Sequence, residues 1–268
     1  MLNIFKILIL FLGLSYLIVL VGLYSFQRNL LYEPSENNYL DGEILFTDIK
    51  EIYISTSDNY SLKGWYHFKN KNYKTLLFFH GNAGVLENRI YKLNKLKDLN
   101  INFLIFAWRG FSGNSGFPSE RGLYDDANSA VKWLNQEGVK DQEIILYGES
   151  LGSAVAAEIA QHKSFAGIIL ESPFTSMIDI GRHYYPYVPV KLILKDKFET
   201  EKKIRNINFP LLVMHGKLDK VVPFVMGKRI FDLGNQPKFY FFPNYDDHMM
   251  NYDQNLLNVV NKFLTSLN

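Results

Sequence analysis

The stretch "EIILYGESLGSAVAAEIA", residues 143–160, decides the fold. Ile144 to Tyr147 form a short apolar run, and from Leu151 small and apolar residues continue at helical spacing, so a strand is expected to turn sharply into a helix. Between them stands Gly-x-Ser-x-Gly, with Ser150 set between Gly148 and Gly152. In so tight a turn the central residue is strained and neighbouring backbone comes close, so the positions two before and two after it must be small. The dipole of the helix starting at Leu151 favours negative charge near Ser150. A plain strand-to-helix turn with a capping serine would carry the same glycines. Reading Ser150 as a nucleophile therefore depends on residues elsewhere.

Outward from this turn, short apolar runs alternate with longer helical patterns. Thr75 to Phe79, Asn102 to Ala107, Glu143 to Tyr147, Gly167 to Leu170, Leu211 to Met214 and Phe239 to Phe242 read as strands. Glu87 to Leu99, Leu123 to Asn135, Leu151 to His162, Val225 to Leu233 and Gln254 to Leu267 read as helices. Such alternation means an α/β fold, a mostly parallel sheet covered by helices on both faces. Glu51 to Ser55 and Leu62 to Phe68 alternate in hydrophobicity about "TSDNYS" and read as an antiparallel hairpin that precedes it.

A serine hydroxyl needs a base, and the base needs an orienting acid. Of the six histidines, His248 follows the last expected strand, where the chain emerges beside the Ser150 turn, and it is the expected base. His67, His162, His183 and His215 read as structural, and His80 ends an early strand next to a glycine. Asp219 lies just past the strand Leu211 to Met214, on the sheet edge where Ser150 must sit, and is the expected acid. Asp246 and Asp247 compete for that role, but a close neighbour on a loop often cannot turn its carboxylate onto the imidazole, so they are expected to shape the turn. The order Ser150, Asp219, His248 is that of one fold family. An oxyanion needs fixed donors; "FFHGNAG", residues 78–84, offers the backbone N–H of Asn82, with Ala83 beside it, to join that of Leu151. This loop lacks the Gly-Lys-Ser/Thr ending of a nucleotide-phosphate loop.

Ile7 to Phe26 carries no charge over about 20 residues, enough to cross a bilayer core as a helix. Residues 1–28 are expected to be an uncleaved anchor; a signal peptide or a buried core helix are the alternatives, and no Ala-x-Ala-like site follows. Lys6 lies on one side and Arg28 on the other, which favours an inside N-terminus and a non-cytoplasmic catalytic domain. Residues 29–43, with Pro34 and Gly42, read as a linker with a docking turn near Leu30 to Tyr32, and residues 44–268 as one domain. The net charge of +2, mixed along the chain, points away from nucleic acid. The absence of cysteine excludes disulfides and a thiol nucleophile.

The motifs "NLLYEP", "FFHGNAG", "RGFSGNSGFPSERGLYDDA", "YGESLGSAVA", "ESPFTSM", "FPLLVMHGKLDKVVP" and "DDHMM", in this order behind an apolar N-terminus, resemble the α/β-hydrolase superfamily. Within it they resemble the membrane-anchored serine hydrolases of the Bem46 and ABHD13-like kind, over nearly the whole chain. The resemblance implies nucleophile Ser150, acid Asp219, base His248, oxyanion donors Asn82 and Leu151, and no metal or organic cofactor. It departs at Ala107, where relatives often carry aspartate or serine, and at Asp-Asp-His, where Gly-x-His is frequent. In this fold residues 171–210 lie where a small cap is inserted, and Phe174, Tyr184, Tyr185 and Tyr187 are candidates for an acyl pocket. The expectation is a membrane-anchored esterase or thioesterase acting on a small or lipid-like acyl substrate. A catalytically silent membrane-tethered scaffold and a serine peptidase of the same fold are the alternatives.

Overall fold

The computed structural model describes residues 2–34 and 48–267; most of the expected linker, residues 35–43, lies outside them. The main sheet has eight strands: β1 (Lys50–Ser55), β2 (Ser61–His67), β3 (Thr75–Phe79), β4 (Asn102–Phe106), β5 (Ile144–Glu149), β6 (Gly167–Glu171), β7 (Leu211–Met214) and β8 (Lys238–Phe241). Their spatial order is β8-β7-β6-β5-β3-β4-β2-β1. The first two strands form the expected antiparallel hairpin, Lys50 opposite Tyr66, and β2 runs antiparallel to β4. All remaining pairings are parallel. The central strands β3 to β6 are buried along their whole length, as strands covered on both faces must be.

The helices are α1 (Leu2–Leu31), α2 (Ile90–Leu96), α3 (Glu120–Gln136), α4 (Leu151–Ala160), α5 (Met177–Tyr184), α6 (Val190–Ile193), α7 (Thr200–Ile204), α8 (Phe224–Leu233) and α9 (Gln254–Thr265). In α3, Leu123, Ala127, Ala130, Val131 and Leu134 make the buried stripe, and Ser119 caps it by accepting from the Gly122 N–H. That cap starts the helix three residues before its apolar pattern does. α4 is nearly all buried, and its alanines let it sit close under the sheet. The segment 171–210 folds as the three short helices α5 to α7, a small cap. Glu87 to Leu99, expected as one helix, begins with a single 3-10 turn, Leu86–Arg89, and its α-helix ends at Leu96.

α1 is about 45 Å long at 1.5 Å per residue. Its apolar side chains face outward, Leu10 at 73 % and Ile4 at 72 % exposure, which removes the buried-core-helix alternative. The helix continues to Leu31, past residue 28. Its last turns dock on the rest of the chain: Arg28 makes a two-pronged ion pair with Asp196 at 2.7 and 3.0 Å, and Gln27 donates to the Ile193 carbonyl at 3.0 Å. Tyr32, buried, donates to Asp196 at 3.2 Å. Glu33–Pro34 then pairs in parallel with Ala83–Gly84.

Candidate active site

Strand β5 delivers Ser150 at a backbone φ of 51° and ψ of −114°, outside what an L-residue adopts without strain. The two glycines have a steric cause. A Cβ at position 152 would lie 2.0 Å from the Phe79 carbonyl oxygen, and one at 148 would lie 2.5 Å from the Gly152 carbonyl oxygen and from the Ser153 Cα. The strained residue is held from both sides: its N–H donates to the Glu171 carbonyl at 2.8 Å, and its carbonyl accepts from Ser153 Oγ at 2.6 Å.

The structure brings Asp219, His248 and Ser150 together in a line. His248 Nδ1 lies 2.8 Å from Asp219 Oδ2, and its Nε2 lies 3.1 Å from Ser150 Oγ. Asp219 is held by its surroundings: Oδ1 accepts from the Val221 and Val222 N–H groups, both at 2.8 Å. Its Oδ2 also meets His215 Nε2 at 3.1 Å. Burial alone would raise the Asp219 carboxyl, but the hydrogen bonds from His215 and His248, with the Val222 N–H, hold it well below the usual carboxylate range. Asp246 and Asp247 shape the turn. Their side chains accept from the Asn251 and Met249 N–H groups at 3.0 Å, and their carbonyls pack so close to Gly216 that a Cβ there would lie 2.3 Å from the Asp246 oxygen.

Asn82 and Leu151 both face the cavity beside Ser150. The loop carrying Asn82 is fastened from two directions. From the end of α1, the Asn82 side chain donates to the Leu31 carbonyl at 2.8 Å, and its carbonyl accepts from the Glu33 N–H at 2.9 Å. From below, Glu149 accepts from Arg89 at 2.7 Å and from the Gly81 N–H at 3.3 Å, while Arg89 donates to the Ala83 carbonyl at 2.8 Å. Glu149 thus ties the serine turn to the loop that carries Asn82. Lys92, buried, bridges Glu149 and Glu171 at 2.5 and 2.8 Å, and Glu171 accepts from Tyr147 and Tyr252 at 2.6 and 2.7 Å. Burial opposes the ionised form of Glu149, but the cations Arg89 and Lys92 win and keep its carboxyl low. His80 is buried beneath the same loop. Trp108 N–H donates to its Nε2 at 3.2 Å, so its Nδ1 donates to the Gly81 carbonyl at 2.8 Å and the ring is neutral.

A cavity of about 350 Å³ opens beside Ser150 between the end of α1 and the cap. α1 contributes Leu23, Gln27, Leu30 and Leu31; the cap contributes Met177, Ile180, Val190 and Ile193. Of the four aromatics proposed for it, Phe174, Tyr184 and Tyr185 line it. Tyr187 does not: it is 89 % exposed, and its carbonyl accepts from Tyr16 of α1. His162 pairs with Glu158 on a helix end and His183 packs on Tyr184. Sequence reasoning missed His215 as a partner of Asp219, although its place at a strand end before a glycine matches that of His80.

The sequence pattern of a family described as "alpha/beta hydrolase fold" matches residues 74–198. An uncharacterised protein of Mycobacterium tuberculosis, Rv2307c, is 32 % identical over 253 residues, covering 92 % of this chain and 90 % of its own. The chain belongs to the α/β-hydrolase family. A lysophosphatidylserine lipase of Danio rerio, ABHD12, is 30 % identical over 195 residues, covering 65 % of this chain and 51 % of its own. Among solved structures, an esterase of Pyrococcus furiosus superposes with a TM-score of 0.69 at 20 % identity, covering 88 % of this chain and 97 % of its own; it shares the fold.

Proposed function

We propose that this α/β-hydrolase is a membrane-anchored serine hydrolase that cleaves an ester or thioester bond through an acyl-enzyme. The observation that carries this reading is the His248 imidazole, 2.8 Å from the Asp219 carboxylate and 3.1 Å from the Oγ of Ser150, which itself lines an apolar cavity. Ser150 Oγ attacks the substrate carbonyl as His248 Nε2 takes its proton, and Asp219 fixes the imidazole tautomer and stabilises the imidazolium. The negative charge on the tetrahedral oxygen meets the Asn82 and Leu151 N–H groups. His248 then returns the proton to the departing alcohol or thiol, and water, deprotonated by the same imidazole, frees the acid and restores Ser150. The apolar lining and the lipase relative favour an acyl ester over a peptide amide. α1 is long and apolar enough to cross a bilayer, and it serves as the anchor.

A fluorophosphonate probe tests the reading. Wild type is expected to be labelled and Ser150→Ala unlabelled, while Asp219→Asn retains labelling sites but loses about 10⁴-fold in kcat on a p-nitrophenyl ester. A folded, unlabelled wild type overturns it in favour of a silent scaffold, and preferential cleavage of a short peptide amide overturns the ester assignment.

A further inference from the structure

Leu23, Gln27, Leu30 and Leu31 stand at i, i+4, i+7 and i+8, one face of α1, and all four border the cavity beside Ser150. The anchor helix is therefore part of the site's wall. The cap climbs along the same helix: the Tyr16 hydroxyl donates to the Tyr187 carbonyl at 2.7 Å, and Lys195 Nζ sits 4.1 Å over the Tyr24 ring. Tyr16 lies ten residues inside the end of the charge-free run at Phe26, about 15 Å along the axis. A helix that crosses a bilayer through that run carries this edge of the cap down into the leaflet. The exposed side chains on that edge are apolar or amphipathic, with Tyr187 at 89 % and Leu192 at 83 %.

We propose that α1 and the cap together form an acyl-chain pocket whose mouth opens sideways into the bilayer. The substrate is a single-chain acyl amphiphile that enters from the leaflet, with its chain against Leu23 and Leu30 and its carbonyl at Ser150. This rests on the serine hydrolase reading above. A cavity of about 350 Å³ is at the small end of ligand pockets and holds one chain rather than two. The face of α1 it uses sets the length of chain accepted, so the helix determines specificity as well as location.

The full-length protein is reconstituted in phosphatidylcholine vesicles with p-nitrophenyl esters from two to sixteen carbons. Wild-type kcat/KM is expected to rise by about fourfold per added methylene until the pocket is full. Leu23→Trp, which occupies the pocket, lowers the ratio of twelve-carbon to two-carbon kcat/KM at least tenfold, and Leu23→Ala moves the optimum to longer chains. Val21→Trp, on the opposite face of the same turn, leaves the ratio unchanged. Fluorophosphonate labelling of each variant reports that the Ser150 turn has assembled. In the same vesicles, Tyr187→Trp gains emission over wild type that acyl-chain-brominated phosphatidylcholine quenches. Labelled Leu23 variants with wild-type chain selectivity overturn the pocket wall, and unquenched Tyr187→Trp emission overturns the sideways mouth. Wild type that turns over no ester overturns this proposal together with the hydrolase reading, a result distinct from either.

Discussion

His80 sits at the end of β3 with both ring nitrogens engaged by backbone, one accepting from Trp108 N–H and one donating to the Gly81 carbonyl. Burial, with Arg89 nearby, pushes its pKa down to about 3. In the unfolded chain it titrates near 6.5. The folded state therefore refuses a proton that the unfolded state takes up below that value, and His80's contribution to stability, complete above pH 6.5, is lost as pH falls toward 3. Between pH 7 and pH 5 the loss is about 2 kcal/mol at 1.36 kcal/mol per unit. Denaturant titrations across that range are expected to show this component in wild type and not in His80→Gln. Asp219 has the same sign at lower pH. Its depressed carboxyl favours the folded state above about pH 4 and ceases to do so in stronger acid, so the acid that orients His248 stays ionised wherever an imidazole can act as a base.

At the scale of elements, the turn between β5 and α4 has no room for a side chain at either of its glycines. Gly152→Ala would drive a methyl into the backbone of β3, which cannot shift without moving the loop that carries Asn82. It is expected to destabilise by about 3 kcal/mol or more and to abolish fluorophosphonate labelling. Gly13→Ala in α1, where a Cβ has nothing within 4 Å, is expected to leave both thermal stability and labelling unchanged. The strands around this turn were legible because each is a short apolar run bounded by turn residues, and Ser150, Asp219 and His248 were legible because each follows such a run. The partners of Glu149 were not. Arg89 and Lys92 lie 60 and 57 residues away, and no spacing rule connects a carboxylate beside a serine to cations on a helix packed across the sheet. The docking of α1 was hidden for the same reason: Arg28 meets Asp196 across 168 residues, and an apolar span announces its length but not what lies against its end.

For the whole molecule, we propose that the hydrolase domain lies on the non-cytoplasmic side, since Lys6 precedes the apolar run and the nearest basic residue after it, Arg28, is paired with Asp196. Protease added to intact, right-side-out vesicles is expected to degrade the catalytic domain, whereas full protection until the membrane is opened would reverse the orientation.

The junction of Arg28 with Asp196 also makes α1 and the rest of the fold share one helical phase. Each residue of an α-helix turns the chain by about 100°, so one residue inserted after Tyr24 would leave Arg28 paired while swinging Leu23 a quarter-turn or more away from the site. A helix joined by a flexible linker tolerates any length; α1 counts residues, and an insertion or deletion between Leu23 and Arg28 takes Leu23 out of register with the cavity.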